Sequence, residues 1–171
     1  GWALASCAFA TASILGDLHT AVSLMDRGLA LNSNLALIWA QSAYIRAWLG
    51  EPDIALAHVE RAKRLSPVDP HMFTIIGAEA MAYFVARRYD EAFAAAESAC
   101  RHNPFFSQGT RLAVASAAIL ERTDDAKKYF ARLQMLDPTL RVSSLADRIY
   151  LRRPDDFVQL AEGLRKGGVP D

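Results

Sequence analysis

Alanine returns along this chain at Ala21, Ala55, Ala92 and Ala126, at steps of 34 (21 to 55), 37 (55 to 92) and 34 (92 to 126) residues. A second column, Ser33, Pro67, Pro104 and Pro138, keeps the same steps, and each member follows a turn-forming residue: Asn32, Ser66, Asn103 and Asp137. Two columns in phase define a repeat. A period of about 34 residues, opened by a small residue and closed by a helix-breaking turn, belongs to a two-helix unit that buries its apolar faces only by stacking on neighbours. The function of such a chain is expected to lie in a surface.

Each unit reads as helix A, tight turn, helix B and exit turn, with units at about residues 2–34, 35–68, 69–105 and 106–139. In the first, Trp2 to Leu15 forms helix A, Gly16-Asp17 turns, and Leu18 to Leu31 forms helix B. The second runs from Leu35 to Leu49, turns at Gly50 and opens helix B with Pro52, where a missing N–H costs nothing. The third covers about Asp69 to Arg87 and Tyr89 to His102; the residues added after Pro67 lengthen a loop or start the helix early. The fourth covers Phe106 to Glu121 and Thr123 to Leu136, with Asp124 and Asp125 where the helix dipole favours anions.

The period stops after Thr139. Ser144 to Tyr150 suggests one short helix, and Pro154 opens an amphipathic one that ends at Gly167-Gly168 and suits a C-terminal cap over residues 141–171.

Nineteen basic residues balance nineteen acidic ones, which argues against a nucleic-acid footprint or general attraction to an anionic membrane. The uncharged run from Gly1 to Gly16 lacks the basic start and cleavage pattern of a signal peptide, is too short for a span and falls in phase with the later repeats. A cytoplasmic chain is expected. Its start at Gly1 suggests a processed product or a fragment of something longer. Cys7 and Cys100 lie in alanine-rich helices and read as buried small residues.

These columns resemble the tetratricopeptide repeat (TPR). Trp39, Gly50, Ala55, Ala62 and Pro67 match its pattern in the second unit; Tyr83, Tyr89, Ala92, Ala99 and Pro104 in the third; Ala126, Phe130 and Pro138 in the fourth. Phe9 and Val114 stand where the pattern prefers a small residue, and Arg87 and Glu121 replace the turn glycine, so those units are expected to pack less regularly. The resemblance implies an all-α solenoid, a right-handed superhelix of antiparallel helix pairs. The tail, Asp147-Arg148, then Leu151 to Asp156, then Glu162 to Gly168, is similar to the end of bacterial proteins in which a TPR array follows a class III nucleotide cyclase or a winged-helix domain. That similarity implies the regulatory part of a signalling protein, without cyclase chemistry of its own.

Little in the chain suggests catalysis, and neither cofactor nor metal is expected. His19, His58, His71 and His102 are scattered, with no pair at the i, i+4 spacing that a one-helix metal site uses. Ser143-Ser144 and Ser6-Cys7 have no base or oxyanion hole in their context. Asp155-Asp156 sits in the first turn of a helix, where negative charge is stabilising, and Arg152-Arg153 reads as a solvated linker or a contact for an anionic partner.

In the TPR architecture the A helices line a concave groove. Its columns here hold Ala10, Tyr44, Met81 and Ala115, then Ser13, Ala47, Phe84 and Ala118, with Trp48 and Arg111 beside them. Tyr44, Trp48, Met81 and Phe84 suit an apolar peptide or helix from a protein partner, with Arg111 as an orienting charge. The same aromatics could instead be core residues between helices. The expected function is therefore a protein-interaction module; the alternative is a small-molecule or lipid sensor using the same groove. The uncharged first helix further suggests a homodimer.

Overall fold

A computed structural model describes residues 2–147 and 149–171. Gly1, and Arg148 within the expected Ser144–Tyr150 helix and the tail pattern, lie outside the described residues. The described chain is all-α. Nine α-helices run α1 (Trp2–Ala10), α2 (Leu18–Leu31), α3 (Ala36–Leu49), α4 (Pro52–Leu65), α5 (Met72–Val85), α6 (Tyr89–His102), α7 (Ser107–Ile119), α8 (Thr123–Leu136) and α9 (Pro154–Lys166). A π-helical turn, Thr11–Leu15, continues α1, and a 3₁₀ turn, Val142–Asp147, stands where a short helix was expected.

The turns inside the helix pairs repeat in their backbone as well as their sequence. Gly16, Gly50, Arg87 and Glu121 adopt left-handed conformations, with φ of 68°, 83°, 64° and 59°. They keep the steps of 34, 37 and 34 that the alanine column shows. The helices end at Asn32, Ser66, Asn103 and Asp137, each of which donates its backbone N–H to the carbonyl four residues back. Asn32 and Asn103 then fold their side-chain oxygens onto the amides of Asn34 and Phe105, turns that asparagine favours. After Pro67 the extra residues lengthen the loop. The Asp69 carboxylate accepts the His71 amide at 2.7 Å, and the helix starts only at Met72.

The pairs stack so that α1, α3, α5 and α7 touch in series, and each of α3, α5 and α7 also packs on the helices before and after it. Those three contain no exposed residue. The even-numbered helices are amphipathic and form the outer layer, polar toward water. Ala21, Ala55, Ala92 and Ala126 are all buried.

The first unit is irregular, whereas α5 to α8 are unbroken α-helices despite Val114, Arg87 and Glu121. Thr11 and Ser13 turn their hydroxyls back onto the carbonyls of Cys7 and Phe9, at 2.8 and 2.7 Å, beside the π-helical turn. The tail departs further from expectation. Rather than capping the end of the stack, α9 lies against α7 on the inner side, and Gly163 makes this possible: a Cβ there would stand 2.9 Å from the Ala115 carbonyl oxygen. The chain beyond α9 returns to the 3₁₀ turn, where the Val142 amide donates to the Pro170 carbonyl at 2.8 Å.

Candidate functional site

α3, α5 and α7 present their inner faces to a single place, and the segment from Ile149 to Arg153 crosses it like a strap. The strap is held by main chain and by rings. The Arg152 amide donates to the Trp48 carbonyl at 2.8 Å, and the Tyr150 ring meets the Trp48 indole edge-on at 5.7 Å between centroids. On its other side Trp48 packs against Phe9 at 5.8 Å.

A charge cluster centred on one buried carboxylate fixes the strap's far end. Asp156 is fully buried, yet its carboxylate accepts from Arg153 at 2.7 and 3.0 Å and pairs with Arg87 at 3.0 Å. Pairing of this kind offsets the cost of dehydrating the carboxylate. The same carboxylate holds the Arg153 guanidinium above its usual range. Arg153 also reaches the Val85 carbonyl at 3.4 Å and packs over Gly50, where any side chain would collide with it.

Between the strap and the helices lies a cavity of about 230 Å³. Trp48, Met81 and Arg111, three of the five residues expected to form a groove, line it. Tyr44 and Phe84 do not and are core residues instead. Tyr44 stacks under Trp48 at 5.7 Å, its hydroxyl against Gly77, and Phe84 turns edge-on to Tyr89 at 5.3 Å. The reason is that α3 and α5 are enclosed by neighbours on every side. Burial pushes the Tyr44 phenol strongly up, opposed by the Arg111 charge, and its hydroxyl has no hydrogen-bond partner among the described residues.

No protein-family model matches the chain, and no curated protein matches it. What the site can do must be read from its own residues.

The sequence named Arg87 and Asp156 without pairing them, and it assigned Gln108, Ile149, Tyr150 and Leu160 no place in the site. Gln108, Ile149, Tyr150 and Leu160 join the cavity wall, and Arg87 with Asp156 anchors its cover. Arg153, though half-exposed, is engaged by Asp156, whereas Arg152 is exposed as a linker residue would be. The apolar run Ile149-Tyr150-Leu151 between charged residues was a usable signal for the strap. The histidines stay apart: His58 shares a hydrogen bond with the Ser42 hydroxyl at 2.9 Å, His102 contacts the Ser98 carbonyl, and His19 and His71 are exposed. Burial and the nearby Arg46 charge lower the His58 pKa. Cys100 is buried as expected, whereas Cys7 is exposed. Among the described residues no helix is long and apolar enough to cross a membrane.

Proposed function

We propose that this chain is a TPR interaction module, a superhelix of four units over about residues 2–140, forming the regulatory C-terminal part of a larger bacterial signalling protein such as a nucleotide cyclase. Its inner face binds an extended apolar segment carrying an aromatic anchor. The observation that carries this reading is the strap itself: α3 accepts extended main chain at the Trp48 carbonyl and an aromatic ring on the Trp48 indole. The in-phase left-handed turns support the repeat assignment. In this reading the chain's own tail occupies the site, and a partner bearing a similar segment competes for it.

A tethered segment competes at an effective concentration on the order of millimolar, so loosening the tail should expose the site. A labelled synthetic peptide with the sequence of residues 147–157, titrated by fluorescence anisotropy, tests this. The Tyr150→Ala/Arg153→Ala double variant of the full chain should bind it at least tenfold more tightly than the unaltered chain. Binding by neither protein, with the variant still helical, would reject the reading.

A second reading, a small-molecule sensor, is favoured by one observation, the cavity that the strap encloses without filling.

A further inference from the structure

The cavity under the strap draws its wall from both ends of the chain and from the middle. Phe9, Trp48, Met81 and Leu160 make it largely apolar. Its rings stand in a row, Phe9 to Trp48 at 5.8 Å and Trp48 to Tyr150 at 5.7 Å between centroids. The polar groups in the wall differ in what they can offer a ligand. The Ser13 hydroxyl already donates to the Phe9 carbonyl at 2.7 Å, and Arg111 is not free. The half-buried Gln108 amide, one turn before Leu112 on α7, has no hydrogen-bond partner among the described residues.

We propose that this cavity binds a small uncharged bicyclic aromatic with a ring N–H, of the indole class, an inference that rests on the sensor reading and names its ligand. An apolar cavity of ~150 Å³ suffices for benzene. At about 230 Å³ this one has room for two fused rings. They lie among Phe9, Trp48 and Tyr150, whose faces and edges suit offset aromatic packing, and the Met81 thioether adapts to their rim. The ligand N–H donates to the Gln108 side-chain carbonyl, so a neutral amide satisfies a neutral donor and no new charge is buried. Ile149 and Tyr150 belong to both cavity and strap, and the ligand therefore holds the strap against α3 and α7.

The probe is indole, titrated calorimetrically into the full chain beside indene, which has nearly the same shape and no N–H. Indole should bind more tightly than indene, and Gln108→Leu should cut the indole-to-indene affinity ratio at least tenfold, because it leaves the N–H buried without an acceptor. Hydrogen exchange of the Arg152 amide, which bonds to the Trp48 carbonyl, should slow when indole is bound. Indene binding as tightly as indole, a ratio that Gln108→Leu leaves unchanged, or tighter binding of indole-3-carboxylate than of indole would each overturn the ligand assignment and leave the sensor reading standing. Saturable binding of none of the three would overturn both. If Gln108→Leu fails to fold, the comparison of indole with indene in the unaltered chain decides alone.

Discussion

At the scale of single residues, the two turns without glycine differ in what their side chains do. Arg87 and Glu121 both hold φ near +60°, which costs a residue with a Cβ roughly 1–2 kcal/mol. Arg87 is compensated by its pair with buried Asp156, whereas Glu121 makes no ion pair among the described residues. Opposite outcomes are expected on replacement by glycine. Glu121→Gly should raise stability by about 0.5 kcal/mol, the conformational gain less the added freedom of the unfolded chain. Arg87→Gly should lower it by about 1 kcal/mol, because the half-exposed guanidinium leaves a charged partner behind. Chemical denaturation of the two variants checks the signs. The missing glycines were visible in the sequence, since the repeat register marks those positions. The Arg87–Asp156 pair was not, because no periodicity connects a turn in the third unit to a helix outside the repeats.

At the scale of elements, α9 carries the chief difference between expectation and structure. Pro154 and Gly167 fix its ends, and its apolar stripe shows which side is buried. A stripe says nothing of what it is buried against. α8 already turns Asp124, Lys127, Lys128 and Gln134 to solvent, so the end of the stack is largely polar without a cap. The small residues decide the docking site: Gly163 meets the Ala115 backbone and Gly167 meets Val114, both on α7. Gly167 reads in sequence as a helix stop, and its second role appears only with a neighbour in place. Gly163→Val should push α9 off α7 at a cost of about 1–3 kcal/mol, the usual range for overpacking. Faster hydrogen exchange confined to α9 and the strap would mark that undocking, and unchanged exchange would contradict the packing described.

At the scale of the whole molecule, α1 differs from the three inner helices that follow it in the stack. α3, α5 and α7 are enclosed, while α1 and the turn after it leave Trp2, Ile14 and Leu15 exposed at 53, 76 and 75%. No charged residue lies among them to hold this surface in water. Self-association through α1, most simply as a symmetric dimer, is the expected outcome, and Ile14→Glu should restore monomer. Sedimentation at high protein concentration distinguishes the two. The groove was legible in the same partial way as α9. Repeat register placed Trp48, Met81 and Arg111 on one face, and all three line the cavity, but it treated that face as open because the strap lies beyond the last repeat.

That crossing changes the kind of folding expected of the chain. A repeat array ordinarily gains its stability from neighbour to neighbour, so its ends fray and its units open in sequence. Here a segment C-terminal to the fourth unit bonds to Trp48 in the second, and a carboxylate in the last helix neutralises an arginine from the third. These contacts close the array on itself. The C-terminal end cannot loosen without releasing the second and third units, and the nucleation that could begin anywhere must wait for a long loop to close.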